Sequence, residues 1–465
     1  MSCSLSRLCS LTKNVRFLFN RERLLRLFVV YVFMREEYLR YFWQYRLWAA
    51  SSMFTVDGEE LEIIDTGSLN CDSGPDFFNA KVRVGNTLWA GNVELHCKAS
   101  DWCRHGHDAD KTYDSVVLHV VAESDCVVRR SSGEVIPQVV MNIQDSVLAR
   151  IEQLFCSEQQ VRCGSFWNLR CTELMRLSFC RLVCSRLERK ALMVEELLNQ
   201  SKGDWPEAFY VLLARNFGMN VNGLPFELLA RSLPLRYLAK HKDSAFQVEA
   251  LVFGQSGLLG NVDDADDYVV SLQKEYAFFK KKFNLKPIDA SYWKFARMRP
   301  SNSPGVRIAQ FANLVHRSSN LFSKILKERD LDRLRHLLSC EASEYWSERY
   351  SLGDKASVRK FTKRLSKESV DVILINTVAP LLFSYSKTHG DTEMQEFAFT
   401  LLERLPAEKN SIISMWSEYG VEALSAYDSQ ALVELKCNFC ERGNCLRCVV
   451  GHCVLAAPQS GGYKP

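Results

Sequence analysis

The sequence carries almost no net charge for its length. Its 59 lysines and arginines nearly balance its 55 aspartates and glutamates, which leaves a formal charge of +4 over 465 residues. Such a balance neither requires nor excludes a polyanionic partner, so any basic binding surface must be local. The sequence also lacks internal repeats and low-complexity tracts. With 47% hydrophobic and 25% charged residues it is typical of a folded soluble protein, and its length predicts two or three domains.

A long uninterrupted apolar run is missing near the start of the chain. The stretch LLRLFVVYVF at 24–33 is too short to cross a bilayer, and Arg26 interrupts it. It also lacks the continuous apolar core and the small-residue cleavage site of a signal peptide. We therefore interpret residues 1–33 as an extension that is either not native or disordered, with the first domain beginning at Met34. No transmembrane segment is expected.

Cysteine is abundant, with seventeen residues, most of them scattered inside apolar runs. A reduced thiol behaves there as a small hydrophobic side chain, so a reducing cytoplasm fits better than a disulfide framework. Four cysteines near the C-terminus form two CxxC pairs, Cys437 with Cys440 and Cys445 with Cys448. Four thiolates this close in sequence can hold one Zn²⁺ or an iron–sulfur cluster, and packing by chance in a cysteine-rich chain is the alternative.

The hydrophobic pattern changes along the chain. Residues 34–143 begin with an amphipathic helix and continue with short strand patterns at 60–65, 78–84, 87–98, 115–122, 125–130 and 134–140. This order predicts an α/β domain. From 144 to 435 the apolar residues recur at intervals of three and four, which predicts a mainly α-helical region. Residues 436–465 form a cysteine-rich segment and a tail.

In VELHCK, three side chains that can bind a metal or transfer a proton occur at every second position. Because side chains alternate along a strand, Glu94, His96 and Lys98 are expected on one face. Asp76, in Gly-Pro-Asp, lies at the start of the preceding strand. Two carboxylates with open water positions suit Mg²⁺ or Mn²⁺, and His96 or Lys98 would orient the attacking water or stabilise the developing charge. An ordinary half-buried strand shows the same alternation, and this alternative stays open.

These residues resemble the PD-(D/E)XK phosphodiesterase superfamily, which has Pro-Asp at one strand and Glu-X-Lys on the next. The resemblance covers about residues 36–122 and implies a restriction-endonuclease-like mixed sheet and a metal-dependent nuclease. The chain departs from the family where the lysine would fall, because position 96 is histidine and a lysine follows at position 98. The roles of His96 and Lys98 are therefore both open.

A second polar cluster follows in SDWCRHGHD. His105, His107 and Asp108 are candidate ligands for a transition metal, and His119 on the next predicted strand is a further candidate. Histidines flanking a glycine in a polar loop are as often turn residues, and a histidine within VVLHVV is typical of a buried core position. A zinc hydrolase requires His105 and His107 to converge with Asp76 or His119.

Arginines accompany an aromatic segment in the helical region. Arg297, Arg299 and Arg307 follow Trp293, and arginine interleaved with an aromatic suits phosphate contacts and base stacking. The alternative is that they fasten the loop to neighbouring helices.

The whole chain is similar to an uncharacterised bacterial family, the domain of unknown function 2851. The similarity covers about residues 36–452 and is carried by GPDFFNAKV, GNVELHCKASDWCRHGHD, YDSVVLHVV, DWPEAFYVLLARNFG, EALVFGQSGLL, FARMRPSNSPGVRIAQ and CLRCVVGH. It implies no particular reaction. We predict a cytoplasmic metal-dependent nuclease acting on DNA or RNA. A non-catalytic nucleic-acid or protein-interaction protein on the same scaffold is the alternative, and the zinc hydrolase is the third.

Overall fold

The computed structural model describes residues 36–48, 53–70, 72–143, 145–260, 262, 265–296 and 298–456. The predicted extension at 1–33, Arg297 and the tail after residue 456 lie outside this part. The chain forms two compact units. One contains the residues up to Arg176 and those from Lys436 onward, and the other is Leu177–Leu435. A region built on a mixed sheet is thus followed by a mainly helical region, as the sequence predicts, and the cysteine-rich segment belongs to the first unit.

Helix α1, Glu36–Gln44, opens the first unit. Its first turn carries two glutamates, which interact favourably with the positive end of the helix dipole. Phe42 and Trp43 are buried against the sheet. The Trp43 indole N–H donates to the backbone carbonyl of Thr66 over 2.9 Å, which fixes the helix to the loop after the second strand.

Within the described residues, seven strands form one mixed sheet: β1 Met53–Phe54, β2 Glu60–Asp65, β3 Ser68–Leu69, β4 Phe77–Val84, β5 Thr87–Lys98, β6 Val116–Glu123 and β7 Gln138–Val140. Their order is β1-β2-β4-β5-β6-β7, with β3 beside β4. The pairs up to β5 are antiparallel, whereas β5–β6 and β6–β7 are parallel.

The strands predicted at 60–65, 78–84, 87–98 and 115–122 are confirmed to within one residue at either end. The strand predicted at 125–130 is wrong. That segment pairs only through one bridge, between Arg129 and Val135, because the chain reverses between them at Gly133, which has a positive φ of 85°.

Both faces of the sheet are covered around β5 and β6. On one face, Val93 and Leu95 pack with α1 and with helix α3, Asp145–Cys156. On the other face, Trp102 and Val121 belong to a smaller apolar cluster that also contains residues of the loop before β7. Parallel strands are commonly buried on both sides. Any polar side chain in the middle of β5 is therefore removed from bulk water.

The second unit consists mainly of helices: Phe179–Gln200, Trp205–Phe217, Met219–Ser232, Leu235–Ala239, Ala245–Gln255, Asp267–Phe283, Pro304–Arg317, Leu321–Lys327, Leu331–Leu338, Lys367–Ile373, Ala379–His389, Thr392–Arg404, Ser411–Glu418 and Ala426–Glu434. Short polar side chains start many of them. Asp204 accepts from the Glu207 N–H, and Ser303 accepts from the Val306 N–H. These N-caps satisfy amide groups that have no partner within the helix.

One described helical stretch, Lys367–His389, is long and apolar enough to cross a membrane by length and composition. Its middle, Leu374–Val378, is a π-helical turn. In the structure, 78% of its most apolar window is buried within the protein, as is usual for the core helix of a soluble fold. The cytoplasmic location stays a prediction.

Candidate functional site

Polar side chains meet on one face of the sheet where β5 runs parallel to β6. Glu94 and His96 share this face because they are two residues apart on β5. The parallel register pairs Glu94 with His119 of β6, and His119 in turn with Gln138 of β7. Three adjacent strands thus place four polar side chains side by side, all of them buried.

The loop after β5 brings two more histidines to this face. Helix α2, Asp101–Arg104, turns the chain back, and the His107 N–H donates to the Trp102 carbonyl over 3.0 Å. Gly106 stands between His105 and His107 with a φ of +78°, a conformation that glycine adopts without strain. The His107 ring stacks on Tyr113 with the ring centroids 3.7 Å apart. The loop therefore holds His107 buried and leaves His105 exposed.

Three imidazoles converge in a group that could hold a metal ion. One ring nitrogen each from His96, His105 and His107 lies within 4.8 Å of the other two. The His96 Nε2 is 3.2 Å from the His105 Nδ1. Nitrogen ligands at 2.0–2.1 Å around a tetrahedral Zn²⁺ are about 3.4 Å apart. Small movements of the exposed His105 and of His107 would therefore complete a three-histidine site.

The Glu94 carboxylate lies beside this triad. Its Oε1 is 3.7 Å from the His96 Nε2 and 3.5 Å from the His107 Nε2. Its other oxygen, Oε2, accepts from the Asp76 backbone N–H over 2.9 Å. One carboxylate oxygen is thus fixed by the backbone, and the other faces the imidazoles.

Asp76 lies next to Glu94 but faces a cation. Its Oδ1 is 2.7 Å from the Nε of Arg40 on α1, and its Oδ2 accepts from the Leu95 N–H over 3.2 Å. Asp76 is only 6% exposed, whereas the Arg40 side chain is 40% exposed. The structure therefore brings the predicted pair Asp76 and Glu94 together and adds an arginine that the sequence did not indicate.

Burial decides the protonation of the site. Burial first, and the neighbouring Asp76 carboxylate second, raise the pKa of Glu94 to about 8. Burial also raises the pKa of Asp76, although Arg40 opposes it. Burial first, and neighbouring imidazoles second, lower the pKa of His96 to about 2 and that of His119 to about 3. Since a metal ligand must be a neutral imidazole, His96 is available as a ligand at neutral pH.

His119 supports the triad from behind. Its Nε2 is 2.8 Å from the His96 Nδ1, and the Gln138 Nε2 donates to its Nδ1 over 3.3 Å. The same Gln138 nitrogen donates to the Cys126 carbonyl. If a metal binds the His96 Nε2, the proton of His96 must lie on its Nδ1, which then donates to the His119 Nε2. The proton of His119 must in turn lie on the His119 Nδ1. The Gln138 amide must then rotate so that its oxygen accepts that proton.

The chain of hydrogen bonds from His96 through His119 to Gln138, here called the relay, gives a testable prediction. Gln138→Leu removes the only side chain that can accept the His119 proton among the contacts described, so the metal affinity of the cluster should fall by ~10-fold or more, as for other partners of ligating histidines. Competition with a chromophoric chelator measures the affinity. Gln153→Leu, an exposed position on α3, is the matched control and should change it less than about twofold. Equal affinities for both variants would contradict the relay.

The raised pKa of Glu94 predicts a pH effect in the presence of a chelator. An acid whose pKa is higher in the folded state holds its proton there while the unfolded chain releases it, so stability falls as pH rises from the unfolded value of 4.5 towards about 8. Up to pH ~7.5 the buried histidines act in the opposite direction, because they are neutral in the folded protein and partly protonated in the unfolded chain, so the Glu94 effect is measured as the difference between the wild-type protein and Glu94→Gln. Between pH 6.5 and 8 this difference in the free energy of unfolding should fall by up to ~1.4 kcal/mol per pH unit.

Chemical denaturation at several pH values tests this trend, and Glu94→Gln should abolish the decline. The same slope in the wild-type protein and in the variant would show that another group is responsible.

The remaining residues predicted for this site lie at its edge. Lys98 is exposed at the end of β5, with its Nζ 3.2 Å from Glu123. Asp108 is exposed next to His107. Arg40, Gln138 and Tyr113 were missed. Only the parallel pairing of β6 with β7 would have drawn attention to Gln138, and no local pattern marks the other two.

The predicted arginine group lies in the second unit. Arg297 is outside the described residues. Arg299 is exposed, whereas Arg307 is buried in the helix Pro304–Arg317. An arginine buried in a helix does not present a surface for a long nucleic acid. Arg307 is therefore not placed to contact the phosphates of a long nucleic acid.

The C-terminal cysteines lie against a segment from the first part of the chain. The Lys436 Nζ donates to the Gln160 carbonyl over 2.9 Å, and the Arg162 guanidinium lies beside Gly443. This packing brings Cys163 to the cysteine-rich segment. Burial, and then the nearby thiols of three cysteines of that segment, raise the pKa of Cys163; they are Cys440, Cys448 and Cys445. Cys437 lies in the π-helical turn Leu435–Cys440.

Comparison with known protein families gives a match over most of the chain. The family described as "Protein of unknown function (DUF2851)" matches residues 36–411, which include the whole imidazole cluster. No curated protein and no solved structure matches the chain. The chemistry of the site must therefore be argued from its own geometry.

Proposed function

The chain belongs to the DUF2851 family of proteins of unknown function, and from the geometry of its imidazole cluster we propose that it is a metal-dependent hydrolase of phosphodiester bonds in nucleic acid. The observation that carries the proposal is the convergence of nitrogens from His96, His105 and His107 within 4.8 Å, with the Glu94 Oε1 beside two of them. Catalytic metal sites typically combine three protein ligands with an open position for water. Imidazole ligands favour Zn²⁺ or another transition metal.

Glu94 is the general base in this proposal. A bound metal supplies a Lewis acid and lowers the pKa of a water at the open position. The Glu94 Oε1 takes a proton from the attacking water while the water oxygen bonds to phosphorus. The bond between phosphorus and the leaving sugar oxygen breaks, and its electron pair stays on that oxygen. A base with a pKa near the working pH suits this step. Asp76 holds Arg40 at the edge of the site, where the guanidinium can bind the phosphate.

The phosphodiester substrate rests partly on the fold. It is supported by a helix, the antiparallel strands β2, β4 and β5 and the parallel strand β6, which follow in this order with the four-residue helix α2 between β5 and β6. We infer from this order, and from Asp76 and Glu94 on neighbouring strands, that the first unit is related to the PD-(D/E)XK superfamily.

A second candidate keeps Mg²⁺ or Mn²⁺ between Asp76 and Glu94. It is favoured by the raised pKa of both carboxyl groups, which a shared divalent cation would relieve. The ion pair of Asp76 with Arg40 weighs against it, because the arginine occupies one of the oxygens that the cation needs. Substitutions of His107 and of Asp76 separate the two candidates.

The test is cleavage of single- and double-stranded DNA and RNA by the full chain with Zn²⁺, Mn²⁺ or Mg²⁺. We expect cleavage with Zn²⁺ or Mn²⁺, its loss in His107→Ala and a smaller loss in Asp76→Asn. Cleavage with Mg²⁺ that survives His107→Ala and disappears in Asp76→Asn would establish the second candidate instead. A chain that cleaves none of these substrates with any of the metals would refute both and favour the non-catalytic scaffold.

We also propose that the C-terminal cysteines hold Zn²⁺ or an iron–sulfur cluster, with Cys163 joining Cys440, Cys445 and Cys448. The proposal is supported by the burial of Cys445 and Cys448 and by the packing of Gln160 and Arg162, the residues around Cys163, on this segment. Four thiolates around one metal form a closed structural site. Such a site would fasten the C-terminal segment to the first unit.

A further inference from the structure

A cavity in the second unit contains an arginine without a counterion. The cavity has a volume of about 280 Å³ and lies between the helix Trp205–Phe217, the start of the next helix and the segment Met298–Pro304. One wall is apolar and includes Phe217 and Phe226. The other wall is polar and includes Arg299 and Arg307. The cavity is therefore amphipathic, with its positive charge on one side.

Arg307 is the unusual member of this wall. It is only 5% exposed, and its Nη2 donates to the Asn302 Oδ1 over 2.7 Å and to the Ser369 Oγ over 2.9 Å. Its Nε and Nη1 have no hydrogen-bond partner in the part of the chain that the structure describes. Among the described residues, the titratable neighbour that acts on it is the Cys340 thiol, which burial keeps neutral by raising its pKa to about 12, and not a carboxylate. Burying a guanidinium without an anion is costly, so the structure is incomplete without one.

The start of the helix Pro304–Arg317 adds a second positive element. Pro304, in its first turn, lines the cavity, and the helix has fourteen residues. The N-terminus of a helix carries partial positive charge and suits phosphate groups. Arg299, at the same wall, supplies a further planar set of donors. Pro304 has no N–H and the Val306 N–H is already bound by Ser303, so the helix contributes its dipole, and the two guanidinium groups supply the hydrogen-bond donors for a phosphate monoester.

We propose that this cavity binds a small organic phosphate of mononucleotide size. The phosphate neutralises Arg307, and Arg299 and the helix N-terminus contact it as well. The organic part packs on the apolar wall, where the exposed Val221 and the half-buried Met219 and Met298 contribute apolar surface. Inorganic phosphate alone would leave this wall unfilled. The inference does not rest on the proposed phosphodiesterase activity, because it concerns different residues and a binding event.

Calorimetric titration of the full chain tests the site, with a chelator present so that no metal in the imidazole cluster binds the probes. The probes are adenosine monophosphate, inorganic phosphate, adenosine and succinate at constant ionic strength. We expect adenosine monophosphate to bind at least ~10-fold more tightly than inorganic phosphate, and the other two not to bind measurably. No binding of adenosine monophosphate, or equal binding of adenosine or succinate, would overturn the proposal.

Variants connect the binding to Arg307. Arg307→Met should weaken adenosine monophosphate binding at least ~10-fold, and Arg307→Lys, which keeps the charge but loses the planar donors, should weaken it severalfold. Arg333→Ala, an exposed arginine of the same unit, is the control and should change binding less than about twofold. Unchanged binding in Arg307→Lys and in Arg299→Ala would overturn the proposal even if Arg307→Met fails to fold.

A melting experiment without ligand separates a binding role from a structural one. An arginine whose charge is uncompensated should be replaceable by methionine with no loss of melting temperature. In the wild-type protein, saturating adenosine monophosphate should raise the melting temperature by about 3 °C or more, and Arg307→Met should lose this rise. A variant that melts lower but keeps the rise would show that Arg307 is only structural.

Discussion

Glu94→Gln is expected to reduce phosphodiester cleavage by at least ~100-fold while the metal stays bound. The amide cannot accept a proton from water, but its oxygen can still accept from the Asp76 N–H, so the local structure should be kept. The loss should appear in kcat more than in KM, because substrate contacts are unchanged. Initial rates with saturating metal measure both parameters.

The matched control is Glu123→Gln on β6. Glu123 is exposed and pairs with Lys98, so the variant makes the same chemical change on a neighbouring strand outside the triad. Its rate should stay within about twofold of the wild-type rate. Equal rates for Glu94→Gln and the wild-type protein would exclude Glu94 as the base, and loss of the metal in Glu94→Gln would make Glu94 a ligand instead.

Trp102→Ala is expected to destabilise the first unit by about 3–5 kcal/mol, the usual cost of removing a large buried aromatic side chain. Trp102 is fully buried, and its Nε1 donates to the Arg129 carbonyl over 3.0 Å. Its ring also lies 5.4 Å from His107 and 5.3 Å from His119, measured between centroids. The substitution therefore removes both core packing and the wall that positions the imidazoles.

Hydrogen exchange of peptides that cover β5 and β6 measures this loss within the unit concerned. Protection should fall by about two to four orders of magnitude in Trp102→Ala, since about 1.4 kcal/mol corresponds to a factor of ten. Trp102→Phe should lose less, because the ring is kept and only the indole hydrogen bond is removed. Leu88→Ala, exposed on β5, is the control and should change protection little. Unchanged protection in Trp102→Ala would mean that the cluster does not depend on this side chain.

Strand alternation was enough to place Glu94 and His96 on one face, because the rule depends only on the backbone. It could not predict that Lys98, two residues further, leaves the buried part of the sheet and pairs with Glu123. The parallel register that sets His119 behind His96 depends on the connection between β5 and β6, which no local pattern encodes. The sequence therefore identifies the strand residues of the site but not which of them contact one another.

The residues that complete the site depend on tertiary packing. Arg40 reaches Asp76 only because α1 packs on the sheet, and in the sequence it is one arginine among many. Arg307 was interpreted as a candidate phosphate contact because it follows Trp293 among other arginines, with attachment of the loop to neighbouring helices as the alternative. The surrounding helices bury nearly the whole helix Pro304–Arg317, including Arg307 and Gln310. The sequence shows which side chains are capable of chemistry, whereas their burial is set by elements far away in the chain.

Metal content measured in parallel on wild-type protein and on His96→Ala tests the three-histidine site most directly. Both proteins keep the C-terminal cysteines, so any metal bound there contributes equally and cancels in the difference. After loading with Zn²⁺ and removal of excess ion, the wild-type protein should retain one equivalent more than the variant. Equal metal content in two folded proteins would contradict a metal centre at His96, His105 and His107.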